Sequence, residues 1–181
     1  MFSLKFPKRI TRDKMMRDCE EITRAFLERV SYLDSKLGPM LLQFPYAFKP
    51  EHLIVLNDFL PTLPRTTRFV VEVRNKKLLD EKVYSILKDN RVALALVDQP
   101  FMPPTEAITA DFVYIRIEGD RRKVNGTLGQ VEIDKSDRTK QWADRITKLL
   151  ERCKEAFVYF SKYYSAYPPA DAKQLLRALA M

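Results

Sequence analysis

The chain has 181 residues, 46% hydrophobic and 31% charged, with a formal net charge of +8 and a pI near 9.5. That length can bury a sizeable core and reads as one domain over 1–181. No apolar run approaches the length of a membrane span, and Met1 to Thr11 lacks the pattern of a signal peptide, so the expectation is a cytoplasmic protein.

The basic excess favours an anionic partner, but it is dispersed, and the tightest run is Arg121-Arg122-Lys123. Charge by itself therefore does not point to nucleic acid. Cys19 and Cys153 are the only cysteines, lie far apart on predicted helices, and read as reduced, buried thiols rather than metal ligands. His52 is the sole histidine, which removes any multi-histidine zinc site within the chain.

Phe2, Leu4 and Phe6 alternate with polar residues and predict a first strand. Thr11 is placed to cap a helix running through Met15, Cys19, Ile22, Phe26, Val30 and Leu33, until Gly38-Pro39 breaks it. Met40 to Phe44 is a short buried strand. Pro50 opens a helix carrying Leu53, Leu56 and Leu60, which Pro61 and Pro64 end. Phe69 to Val73 is the third strand. A helix over Val83, Ile86 and Leu87 follows, with Asn90 as a left-handed stop. Val92 to Val97 and Phe112 to Ile117 are strands separated by a loop around Pro103-Pro104. A polar loop from Gly119 to Lys135 leads to a helix capped by Ser136, with Trp142, Ile146, Leu149 and Cys153 facing inward. Phe157 to Phe160 is the last strand, and Asp171 caps a final helix through Leu175, Leu176 and Leu179.

Strands separated by helices, with almost no hairpin signals, predict parallel pairing with right-handed crossovers. Only 4 glycines are present, and Pro7-Lys8-Arg9 stands where a dinucleotide-binding fingerprint would follow the first strand. No nucleotide-cofactor motif is found. The predicted class is therefore α/β, the larger part of a parallel (β/α) barrel.

Two strands alternate in an unusual way. In Phe69 to Arg74, Glu72 and Arg74 share one face; in Val113 to Glu118, Tyr114, Arg116 and Glu118 do. Lys5, Gln43 and Asp98 fit the same placement, at or near a strand's C-terminal end and pointing into a barrel interior. A strand with one solvated face produces the same alternation, and Glu-x-Arg pairs also form structural salt bridges. Several parallel strands all ending in charged or amide groups point instead to a ligand, because buried charges need partners. Glu72 and Asp98 are the candidate general acid or base groups, or ligands for a hard divalent metal. Lys5, Gln43, Arg74, Tyr114 and Arg116 are the candidate substrate-binding groups, suited to a carboxylate, phosphate or oxyanion. Tyr163, Tyr164 and Tyr167 follow the last strand, where they either stack on a sugar or base or pack the final loop onto the rim.

The chain resembles the YecE-like family, also called domain of unknown function 72. The matching stretches are Phe2 to Pro7, Leu37-Gly38-Pro39-Met40-Leu41-Leu42-Gln43-Phe44-Pro45 and Val71-Glu72-Val73-Arg74. Leu96 to Pro100, Tyr114-Ile115-Arg116 followed by Gly119, Trp142-Ala143 and Val158-Tyr159-Phe160 match in the same order. The resemblance implies a (β/α) barrel of the triosephosphate-isomerase type, of whose eight strand–helix units about six are visible here, with no generally established activity. It also implies that two strand–helix units usual in the family stand before the segment where Met1 lies. Ser161 and Lys162 replace the asparagines common after the family's last strand, Asp171 stands for an asparagine, and Glu118 for a histidine.

Three functions follow as expectations. The first is an enzyme acting on a small polar or anionic substrate at the strand ends, with a pocket among Glu72, Arg74, Asp98 and Arg116. The second is a non-catalytic nucleic-acid or anion binder using its basic and tyrosine-rich loops. The third is a truncated barrel whose open edges are covered by a partner segment or a second copy.

Overall fold

A computed structural model describes residues 1–126 and 129–180. Two compact units divide the chain, Met1–Leu94 and Ala95–Met181. In the first, β1 (Phe2–Lys5), β2 (Leu37–Gln43), β3 (Phe69–Glu72) and the start of β4 (Ala93–Asp98) pair in parallel and in chain order. The crossovers that parallel pairing requires contain α1 (Glu20–Ser31), α2 (Leu53–Phe59) and α3 (Glu81–Asp89). The register puts Lys5, Leu41, Gln43, Val70 and Glu72 on one sheet face and Leu42 and Val71 on the other. Aromatic rings fill the second side. Phe6 meets Phe26 of α1 at 4.9 Å and Phe69 at 6.0 Å between centroids, both edge-on. β3 is buried along its whole length, as a parallel strand covered on both faces should be.

The end of β4 pairs with β5 (Phe112–Ile117), and β5 with β6 (Glu155–Phe160), again in parallel. A proline-containing loop without a helix connects β4 to β5, α4 (Ser136–Leu150) connects β5 to β6, and α5 (Pro168–Leu179) follows. Leu96, Ile115 and Ile117 pack with Trp142, Ile146, Leu149 and Leu175 in a continuous core. On the opposite face of β5, the Tyr114 ring stacks on Tyr159 at 4.8 Å. The described residues thus form an α/β fold with six parallel strands. Residues 127 and 128 of the expected polar loop lie outside the described residues.

Local expectations fail where tertiary packing overrides periodicity. The helix expected from Thr11 is broken: Arg9–Asp13 forms one short turn, and Met15, Met16 and Asp18 adopt left-handed φ of 48°, 66° and 47°. Met15, expected on the helical face with Cys19, is only half-buried, while Ile10 and Met16 are buried, so the folded-back loop aims other residues inward than a helix would. Neither cysteine is helical. Cys19 directly precedes α1, and half-buried Cys153 follows α4, donating its thiol to the Leu149 carbonyl at 3.1 Å. Arg91, at φ 56°, is the left-handed residue after α3; Asn90 has φ −97° and donates its side-chain amide to the Ile86 carbonyl. Ser136 is the first helical residue of α4, and the Asp134 carboxylate accepts its N–H at 2.8 Å. Asp171 lies inside the first turn of α5, which Pro168 opens.

Candidate functional site

In the N-terminal unit, Lys5, Gln43 and Glu72 are each the final residue of β1, β2 and β3. Parallel register brings their side chains together on one face. The Lys5 ammonium donates to Gln43 Oε1 at 2.9 Å, and Gln43 Nε2 donates to Glu72 Oε1 at 2.8 Å. Arg74 Nε stands 3.6 Å from the same oxygen, with a largely solvent-facing guanidinium. Glu72 is only 1% exposed. A carboxylate taken so far from water is stable only with donors or cations around it; the Gln43 amide donates to it directly, and Arg74 forms an ion pair with it. Such an arrangement is competent for proton transfer at Glu72 and for holding an anion at Lys5 and Arg74.

In the C-terminal unit the expected residues divide between two faces. Register pairs Val97 with Arg116 and Asp98 with Ile117, so Tyr114 and Arg116 share one face while Asp98 lies on the helix side. Arg116 pairs with Glu118 in an ion pair, and Tyr114 is buried under Tyr159. The expectation that Asp98 points the same way as Tyr114 and Arg116 is therefore corrected. As the last residue of β4, Asp98 falls on the opposite parity. Its carboxylate accepts from Arg138 Nε at 3.1 Å, from Arg138 Nη2 at 2.9 Å and from Trp142 Nε1 at 2.7 Å. Three donors fill most of its acceptor capacity.

Above this triad lies a cleft of about 590 Å³, a size ordinary for small-molecule sites. Pro100, Met102 and Pro104 of the loop after β4 line it with apolar surface, and Gly119 and Asp120 border it after β5. Arg122, Lys123, Lys135, Arg138 and Arg145 bring five cationic groups to the lining, against the carboxylates of Asp98 and Asp120. Arg122 grips Asp120 through Nε and Nη2 at 3.0 and 2.9 Å, which holds that carboxyl down to about 2. The hydrogen bonds that Arg138 donates to Asp98 likewise push its guanidinium further up. Tyr164 is buried against Thr139, with 3.2 Å between hydroxyls, and its phenol is raised by that burial. Among the described residues, no three His, Cys, Asp or Glu side chains are grouped to hold a metal.

Behind the cleft, Asp171 is buried and accepts the Ser165 hydroxyl at 2.7 Å. Burial raises its carboxyl above the ordinary 3.8, an effect the Ser165 bond partly offsets. The folded protein therefore binds this proton more tightly than the unfolded chain does. Stability contributed here falls as pH rises from about 3.8 through the raised value. Urea midpoints measured across that window are expected to decline less steeply in Asp171→Asn than in the parent chain; parallel profiles would refute the assignment.

Arg138 and Lys135 were not singled out by the sequence, Arg122 and Lys123 stood out only as part of its tightest basic run, and Trp142 was read as core. One signal was available: a buried indole N–H needs an acceptor, and Arg138 sits one helical turn before Trp142, on the same side of α4.

A sequence profile described as "Protein of unknown function DUF72" matches residues 1–181. The UPF0759 protein YecE of Escherichia coli O157:H7 and that of strain K12 are each 29% identical over 175 residues, covering 82% of this chain. The chain spans 63% of the length of these curated relatives. Among solved structures, a DUF72 family protein from Thermotoga maritima MSB8 superposes with a TM-score of 0.83 at 22% identity, over 99% of this chain and 74% of that one. A DUF72 family protein from Enterococcus faecalis V583 gives 0.81 at 20% identity, with the same coverage. No described helix is long and apolar enough to cross a membrane.

Proposed function

Since this chain belongs to the DUF72 family of proteins of unknown function, we propose that it is an enzyme acting on a small polar or anionic substrate at the carboxyl ends of its strands. In this reading the six strands form part of a (β/α) barrel of the triosephosphate-isomerase type, a fold whose active sites lie at that end. The observation that carries the proposal is the hydrogen-bonded row Lys5–Gln43–Glu72, made of three strand-terminal residues and ending on a buried carboxylate. Glu72 is the proton-transfer group, Gln43 orients it, and Lys5 and Arg74 hold the anionic part of the substrate. Asp98, occupied by three donors, is a positioning residue for Arg138.

Glu72→Gln keeps the shape of the side chain and removes its ability to carry a proton. Assayed on a panel of small phosphorylated and carboxylated compounds, the parent chain is expected to turn over at least one. The variant should then lose ~10²–10⁴-fold in kcat with its melting temperature little changed. Arg74→Ala should instead raise KM. Parent-level kcat in Glu72→Gln, or no turnover of any compound by the parent chain, would overturn the proposal.

A further inference from the structure

The cations lining the cleft of the C-terminal unit are not equivalent. Arg138 and Arg122 each present a fork of two N–H groups, and both forks are already closed on carboxylates, Asp98 and Asp120. Among the described residues, Lys123 and Lys135 line the same cleft and form no ion pair; Lys135 rests 5.9 Å from the centre of the Tyr164 ring. An incoming carboxylate is best recognised by an open guanidinium fork. What this cleft offers instead is two ammonium groups, compact point charges with three donors each, beside Arg122 and Arg138 fixed by their acidic partners and Arg145 held by an ion pair to Glu106 and a bond to the Thr105 carbonyl. Two ammonium groups outside any ion pair among the described residues suit a phosphate monoester dianion. The remaining volume, walled by Pro100, Met102 and Pro104, is far larger than a bare phosphate needs and is lined for an organic body.

We infer that the C-terminal unit carries a phosphoryl-binding site of its own, in which Lys123 and Lys135 hold the phosphate of a small organic phosphate and the Asp98–Trp142 pair fixes Arg138 beside it. The inference goes beyond the chemistry proposed at Glu72 and does not depend on it.

The single tryptophan of the chain, Trp142, lines this cleft and supplies the readout. Its fluorescence is followed while inorganic phosphate or glycerol 1-phosphate is added to the full chain at constant ionic strength, with acetate and sulfate as parallel titrants. A saturable change is expected with both phosphates, tighter for glycerol 1-phosphate. Lys123→Ala/Lys135→Ala should weaken it by at least about tenfold, whereas Lys88→Ala, on the exposed side of α3, should not move it. Circular dichroism confirms that each variant folds. No saturable signal from the parent chain, or an unchanged titration in the double lysine variant, overturns the site. Acetate or sulfate binding as tightly as the phosphates overturns its phosphoryl character. Glu72→Gln should leave the titration untouched, so a failed catalytic reading and a failed phosphate site are told apart.

Discussion

Gly119→Ala is expected to lower the melting temperature by on the order of 10 °C when unfolding is followed through Trp142. Gly119 has φ +70°, and a Cβ placed on it would lie 2.1 Å from the Tyr163 carbonyl oxygen and 2.6 Å from the Tyr164 Cα. Both obstacles are backbone, so no rotamer change relieves them. The left-handed conformation costs a non-glycine residue about 1–2 kcal/mol, and overpacking adds about 1–3 kcal/mol. At about 2–4 °C per kcal/mol for a chain of this size, their sum gives the shift. Gly129 is the internal control. It has φ +81°, but a Cβ there meets nothing within 4 Å, so Gly129→Ala should show the conformational cost alone. Equal losses in the two variants would mean that the Gly119–Tyr163 approach contributes nothing. The approach matters to the cleft because Gly119 N–H and Glu118 N–H both donate to the Asp98 carbonyl, at 3.4 and 3.0 Å, while Tyr164 lines the other side.

Asp98→Ala is expected to cost about 1–4 kcal/mol. The substitution strands the Trp142 indole N–H, in a side chain only 3% exposed, and an unsatisfied buried donor costs about 1–3 kcal/mol. It also removes the two-point acceptor of Arg138, an ion pair at 2.9 Å whose guanidinium is half in solvent and whose own contribution is therefore small, about 0–1 kcal/mol. The indole bond is thus the larger part. Trp142→Phe removes the donor along with the need for an acceptor, so Asp98→Ala should cost about 1–2 kcal/mol less in that background. Urea unfolding of the four proteins, followed by circular dichroism, measures this difference. Additive losses would show that the two groups act independently and that Asp98 is held for another reason.

The fold was more legible than the site, and the reasons are physical. β5 was read at its full length because Phe112 to Ile117 is bounded by polar residues and buried along nearly its whole course. The parallel arrangement followed from helices standing between strands, a consequence of how far apart parallel neighbours must be in sequence. Lys5, Gln43 and Glu72 were recognised because a charged or amide residue ending an apolar strand is visible in one dimension. The break after Asp13 was not, since Met15, Cys19 and Ile22 keep helical spacing although the chain turns through left-handed Met15, Met16 and Asp18. Asp98 was assigned to the wrong side because its parity is counted along β4 in register with β5, and register is set by pairing between strands.

By itself, the sequence determined the order of strands and helices, the family resemblance, and the polar residues that close β1, β2 and β3. Those features depend on local periodicity and on residue chemistry. Only the tertiary structure decided that Gln43 reaches Glu72 and Lys5 reaches Gln43, that Asp98 turns toward Trp142 and Arg138, and that Lys123 and Lys135 line one cleft with closed arginine forks. Each of those contacts joins residues that are distant in the chain or carried on different elements. Which of a side chain's possible partners it meets is fixed by strand register, helix placement and burial, none of which is written in the spacing of residues along the chain.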